Sequence, residues 1–178
     1  MTQQPITEKH TEALSGSNLS QFFADELKSI YKGEKDLLEP LSIFQQAASL
    51  AELKELVTTY MLVLHQQAIR LERILNILSV QPDGGTCPAM EGICLEMKLT
   101  LEKTAERTTT RDAAIVIAIQ KAVHYKIAEY GSLEQLATSM GMEEVTDLLN
   151  QSLKEEKDHD LLFSDIAEKR INWLAETE

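Results

Sequence analysis

The thirty residues from Arg111 to Met140, RDAAIVIAIQKAVHYKIAEYGSLEQLATSM, decide the fold class of this chain. Their apolar side chains recur every three or four residues, which is the spacing of a helix buried along one face. Gly141 follows directly, at the position where a residue in the left-handed conformation commonly ends a helix. We therefore predict one long amphipathic helix here, and its apolar face requires other helices to cover it.

Three further segments show the same helical periodicity, with a shorter one between the second and third long helices. The long segments run from Leu19 to about Ala47, from Ser49 to about Val80 and from about Glu143 to Leu174; the shorter one runs from Pro88 to about Glu106. Four long amphipathic helices with such a connection predict an all-α four-helix bundle with a crossover helix. Residues 18–178 are expected to form this domain, and the polar residues 1–17 to form a flexible tail.

Local signals mark the helix ends. Ser17 or Asn18 can cap the first helix. Ser49 with Glu52 three residues later is a capping-box pattern, which predicts the start of the second helix. Pro40 interrupts the first helical segment, and the sequence leaves open whether the helix is kinked or split there.

Composition and charge exclude several classes of protein. The net charge is 17 − 29 = −12, which argues against electrostatic binding of nucleic acid or of an anionic membrane. The first residues contain no apolar signal region, and the longest apolar run, 113–119, is too short to cross a bilayer. Cys87 and Cys94 are seven residues apart, too far for a disulfide if both lie on one helix, and their roles stay open. A cytoplasmic protein is expected.

Each long helix carries polar residues within its apolar stripe, close to its middle. Because mid-helix positions of an antiparallel bundle meet at about the same height, we predict that these residues form a central polar layer: Glu34, Gln67, Lys126, Glu156 and Asp160. The alternative is that each polar side chain reaches back to solvent from the core face, as long side chains often do.

This polar layer resembles a metal site in its chemistry. Inward carboxylates at mid-height are the ligands of di-iron and di-manganese bundles, and Glu156-x-x-His159 has the spacing of their two-ligand motif. The candidate ligands for one iron or manganese ion are therefore Glu34, Glu156, His159 and Asp160, with Gln67 nearby. No catalytic nucleophile and no phosphate-binding loop is recognisable.

Several motifs resemble the bacterial YciE/YciF-like family of ferritin-like proteins. They occur in order between about residues 19 and 170, as Ile30-Tyr31-Lys32-Gly33-Glu34-Lys35, Ala89-Met90-Glu91-Gly92, Arg111-Asp112-Ala113-Ala114, Gln120-Lys121, His124-Tyr125, Tyr130-Gly131-Ser132-Leu133 and Leu153-Lys154-Glu155-Glu156-Lys157 with Asp160. The resemblance implies a ferritin-like four-helix bundle, usually dimeric, in a stress-response setting. Relatives in this family are commonly called ferroxidases.

The resemblance also implies that metal ligands have been lost. Glu34, Glu156 and Asp160 match acidic positions of the family, but relatives tend to have Glu at the positions of Val63, Val123 and Lys126. A complete di-metal site needs about four carboxylates and two imidazoles, or more carboxylates in their place. Lys126 instead supplies a positive charge where a metal would otherwise be.

Three hypotheses for function follow. The first is a non-catalytic stress protein without a cofactor, in which Lys126 and the carboxylates form an ion cluster. The second keeps one iron or manganese ion on Glu34, Glu156, His159 and Asp160 and supports ferroxidase or peroxide chemistry. The third is a partner subunit for a related ferritin-like protein. A homodimer is expected, with a related ferritin-like sibling as the alternative partner.

Overall fold

The computed structural model describes residues 17–178, and the predicted tail, residues 1–17, lies outside them except for Ser17. The described residues form helices and no β-strand. The helices are α1 Asn18–Ala47, α2 Ala51–Ile77, α3 Pro88–Glu102, α4 Thr109–Ser139, α5 Glu143–Ile166, a π-helical segment Ala167–Ile171 and α6 Asn172–Glu176.

The four long helices pack as two hairpins, α1 with α2 and α4 with α5, and α3 lies against α1 and α4. This arrangement confirms the predicted four-helix bundle with a crossover helix between the second and third long helices. α2 and α5 are antiparallel, because Tyr60 meets Glu156 whereas Arg73, further along α2, meets Glu144.

The apolar core consists of two clusters of buried side chains. One is built from the C-terminal half of α1 and the N-terminal half of α2, and includes Leu41 and Leu64. The other takes the opposite halves of the same helices, and includes Leu27 and Leu71. Polar residues from all four long helices lie at the boundary between these clusters, which is the height predicted for the polar layer.

The ends of α1 and α4 follow the sequence signals. The Ser17 hydroxyl accepts a hydrogen bond from the backbone N–H of Ser20 at 3.0 Å, which confirms the predicted cap. Gly141 has φ +72°, and the N–H of Met142 donates to the carbonyl of Ala137 at 3.0 Å. Such a reversed bond next to a left-handed glycine ends a helix by satisfying its last carbonyls.

The predicted capping box at the start of α2 is wrong. Leu50 is the N-cap residue and makes no side-chain cap bond. The carboxylate of Asp112, at the start of α4, accepts instead the backbone N–H groups of Ser49 at 2.6 Å and Leu50 at 2.9 Å. A residue 62 positions away thus replaces the local cap, so the local pattern misidentified the acceptor.

Pro40 lies within an unbroken α1. Because proline has no N–H, it cannot donate to the carbonyl of Asp36 four residues earlier. The Cys94 thiol on α3 donates to this carbonyl at 3.7 Å. Cys94 therefore gives a partner to the carbonyl left free by the proline, and the helix continues.

Other helix ends differ from the prediction. α2 ends at Ile77 rather than near Val80, since Ser79 adopts φ +57°, and α3 ends at Glu102 rather than near Glu106. The last helix is not uniform, because a π-helical segment separates α5 from α6.

Candidate functional site

One lysine and two carboxylates meet at the boundary between the two apolar clusters. The Lys126 ammonium lies 2.9 Å from Oε2 of Glu34 and 2.8 Å from Oε1 of Glu156. It also donates to Oε1 of Gln67 at 2.8 Å. These four side chains, each from a different long helix, are at most 1% exposed. We call them the Lys126 cluster.

Two tyrosines close the ends of the Lys126 cluster. Tyr60 donates from its hydroxyl to Oε2 of Glu156 at 2.8 Å, and Tyr130 donates to Oε1 of Glu34 at 2.6 Å. Each carboxylate therefore binds the ammonium through one oxygen and a phenol through the other. Helical periodicity identified both tyrosines only as members of the apolar stripe. The signal was available, because a buried tyrosine hydroxyl usually finds a polar partner.

Burial and charge act in opposite directions on the pKa values of the cluster. Burial raises the pKa of Glu34 from 4.5 to about 7, although the Lys126 ammonium beside it lowers this pKa. Burial also lowers the pKa of Lys126, but the carboxylates of Glu156 and Glu34 outweigh it, so the pKa is above its usual value. Lys126 is therefore charged at neutral pH, whereas the carboxyl group of Glu34 loses its proton close to neutral pH.

A second group of polar residues orients Gln67. The Gln67 amide nitrogen donates to Oε2 of Glu155 at 3.2 Å, which directs its oxygen towards Lys126. Glu155 accepts two further bonds from the Arg70 guanidinium, at 2.8 and 2.9 Å. Arg70 also donates to the Ser152 hydroxyl at 2.7 Å. This α2–α5 network fixes one wall of the cluster, and the helical periodicity of the sequence did not predict it.

Asp160 does not join the predicted polar layer. Its Oδ1 lies 3.0 Å from Nε2 of His124 and 3.3 Å from the amide nitrogen of Gln120, and its side chain is 23% exposed. The helical wheel placed it on the apolar stripe, but Asp160 lies on the flank of α5 that faces α4. The partners of Asp160 are thus on α4, outside the cluster.

His159 is buried beside the cluster, and its contacts are with Glu155 and Tyr60. Its Nδ1 lies 2.9 Å from the carbonyl oxygen of Glu155, and its ring centroid lies 5.0 Å from that of Tyr60. Its Nε2 is buried without a hydrogen-bond partner among the described residues.

The positions at which the resemblance implies Glu are occupied here by groups that cannot bind a cation. Val123 is fully buried, and Val63 is half-buried on α2. Between residues 17 and 178, no group of three or more His, Cys, Asp or Glu side chains is arranged to hold a metal ion. The Lys126 ammonium occupies the position between the two carboxylates. With this lysine present, the residues do not fit the di-metal centre implied by the resemblance.

Comparison with known proteins agrees with this architecture. The sequence profile of a family described as a domain of unknown function, DUF892, matches residues 18–176. The chain belongs to this family. Protein YciF of Escherichia coli strain K12 is 32% identical over 161 residues, which cover 90% of this chain and 96% of that protein. This result confirms the resemblance to YciE/YciF-like proteins.

Two solved structures share the fold. The E. coli stress protein YciF superposes with a TM-score of 0.82 at 30% identity, covering 88% of this chain and 99% of that one. YcfI from Rhodopseudomonas palustris superposes with a TM-score of 0.80 at 28% identity, covering 83% and 94%. Within the described residues, no helix is both long and apolar enough to span a membrane.

Proposed function

We propose that this chain is a non-catalytic member of its family, in which the Lys126 cluster takes the place of a di-metal centre. The supporting observation is the Lys126 ammonium, buried within 2.9 Å of both carboxylates. A single fixed positive charge offsets part of the repulsion that two buried carboxylates would otherwise have. The bundle would then hold its two buried carboxylates together without a metal ion.

A role in the bacterial stress response is the second part of the proposal. Its support is the similarity to YciF, which is described as a stress protein in E. coli. We further propose a cytoplasmic homodimer; a related ferritin-like sibling is the alternative partner. A molar mass near twice the chain mass of 20.0 kDa in light scattering would support the homodimer, and a mass of one chain would contradict it.

Elemental analysis tests the proposal. The protein, purified without chelators from cells grown with added iron and manganese, is expected to contain far less than one equivalent of either metal per chain. A matched sample of Lys126→Glu, which adds a carboxylate at the same position, controls for metal lost during purification. One equivalent of iron or manganese in the unmodified protein would overturn the proposal. It would favour the ferroxidase alternative, with Glu34, Glu156, His159 and Asp160 as the candidate ligands.

A further inference from the structure

Three of the four tyrosines donate a hydrogen bond to a carboxylate. Tyr31 donates to Glu72 at 2.5 Å, and the two tyrosines of the Lys126 cluster donate to Glu156 at 2.8 Å and Glu34 at 2.6 Å. Tyr60 and Tyr130 are fully buried, so water does not compete with the carboxylates for their hydroxyl groups. These two tyrosine–carboxylate pairs lie on either side of one ammonium group.

A phenol in contact with a carboxylate is well placed to give up an electron. Removal of one electron turns the phenol into a very strong acid, so the hydroxyl proton must leave with the electron. An accepting oxygen at hydrogen-bond distance takes this proton without any other movement of the protein. Glu156 and Glu34 are such acceptors for Tyr60 and Tyr130.

The charge of the cluster favours the same reaction. With both carboxylates ionised, the two negative charges and the Lys126 ammonium sum to −1. Loss of one electron brings the sum to zero while the proton stays within the cluster. Since charges interact strongly in a water-poor interior, a cluster with net negative charge favours this oxidation.

We propose that Tyr60 and Tyr130 of the Lys126 cluster act as a stoichiometric one-electron donor that quenches oxygen-centred radicals such as peroxyl radicals. The tyrosine loses one electron, its hydroxyl proton moves to the carboxylate, and a neutral tyrosyl radical and a carboxylic acid remain. The peroxyl radical gains that electron and one proton from water and becomes a hydroperoxide. The inference rests on the proposed metal-free cluster.

Trp173 provides an entry point for oxidation from the surface. It is the only tryptophan in the sequence, and its side chain is 64% exposed. Phe163, ten residues earlier on the same helical segment, packs edge-on against Tyr60 with ring centroids 5.7 Å apart. Ten α-helical residues span about 15 Å along the axis, and Trp173 and Phe163 are separated by a stretch of this length that includes the π-helical segment.

Pulse radiolysis with azide radicals tests this inference on the full chain. Azide radicals oxidise exposed tryptophan, and we expect the Trp173 radical signal to decay as a tyrosyl signal appears, at a rate independent of protein concentration. The double variant Tyr60→Phe/Tyr130→Phe should lose most of the amplitude of this transfer. The matched control Tyr31→Phe/Tyr125→Phe, which removes the two tyrosines outside the cluster, should keep it.

Tyrosines that only stabilise the core would give a different result. In that case the transfer is absent from the unmodified protein, or it persists in Tyr60→Phe/Tyr130→Phe, and either outcome overturns the inference. The unmodified protein supplies a second test that needs no variant. The protein is unfolded and refolded in D2O so that the buried hydroxyls carry deuterium. Transfer should then be slower than in H2O, because the proton moves with the electron, and equal rates would contradict the coupling. Metal content is measured separately, so failure of the proposed function is distinguishable from failure of this inference.

Discussion

At the residue scale, Lys126 is the cation that compensates two buried carboxylates. Its ammonium is fully buried and contacts two carboxylates and one amide oxygen. A buried ion pair contributes little net stability when complete, because desolvation offsets the attraction. Removing one partner is costly, because the remaining charge stays buried without compensation.

Replacing Lys126 by Met should therefore lower the free energy of unfolding by about 3–5 kcal/mol at neutral pH. The loss should be smaller at pH 5, since the stranded carboxylates can then take up protons. Urea unfolding at both pH values measures the effect. Lys121→Met on the same helix is the matched control, because Lys121 pairs with Glu96 at the surface and such pairs contribute at most about 1 kcal/mol. Equal losses for the two variants would contradict the buried cluster.

Glu34 should make stability depend on pH in the unmodified protein. Its pKa is raised from 4.5 to about 7 in the folded state, so between these pH values the folded state holds a proton that the unfolded state has released. Its contribution to stability is complete below pH 4.5 and is lost as the pH rises through about 7. Glu34→Gln removes this titrating carboxyl group, so the stability of the variant relative to the unmodified protein should rise across this window. Parallel stability curves for the two proteins would contradict the raised pKa.

The sequence predicted the four residues of the Lys126 cluster but not the two tyrosines that donate to its carboxylates. Helical periodicity placed Glu34, Gln67, Lys126 and Glu156 on inward faces at mid-height, and these four meet. Asp160 was misplaced, because it lies on the margin between the core face and the face towards α4. A small rotation of the helix about its axis determines on which side such a residue lies. Packing sets this rotation, and sequence spacing does not.

At the element scale, the start of α2 depends on a residue of another helix. Asp112 is fully buried and accepts the N–H groups of Ser49 and Leu50. Because Ser49 and Leu50 are 63 and 62 positions from Asp112, a local search for caps could not find the pairing. Pro40 shows the same limit, since the carbonyl of Asp36, which a proline cannot bond, accepts from the Cys94 thiol on α3. Long-range contacts override both local patterns.

Asp112→Asn should lower the free energy of unfolding by about 1–3 kcal/mol, because one buried N–H group loses its acceptor. Ser49→Ala, which removes the hydroxyl of the pattern first interpreted as a capping box, should change it by at most about 0.5 kcal/mol. Thermal or urea unfolding of the two variants measures the difference. A larger effect for Ser49→Ala than for Asp112→Asn would support the local capping box instead.

At the scale of the whole molecule, the polar layer divides one bundle into two apolar halves. The fold was predictable from four long amphipathic segments and a short crossover helix, because any such set must bury four apolar stripes together. The sequence motifs also identified the family. The chemical state of the layer was less predictable, since it depends on whether a lysine and two carboxylates meet at bonding distance.

The most direct test of the central claim is the melting temperature with and without Mn²⁺ or Fe²⁺, the latter under anaerobic conditions. Val63→Glu/Val123→Glu/Lys126→Glu serves as the positive control, because it introduces the acidic residues that the resemblance implies and changes the charge there by −4. Without metal this variant should be strongly destabilised, and either ion should restore stability by binding the folded state. We expect the melting temperature of the unmodified protein to stay unchanged with either ion. A clear rise for the unmodified protein would contradict the claim that Lys126 replaces the metal.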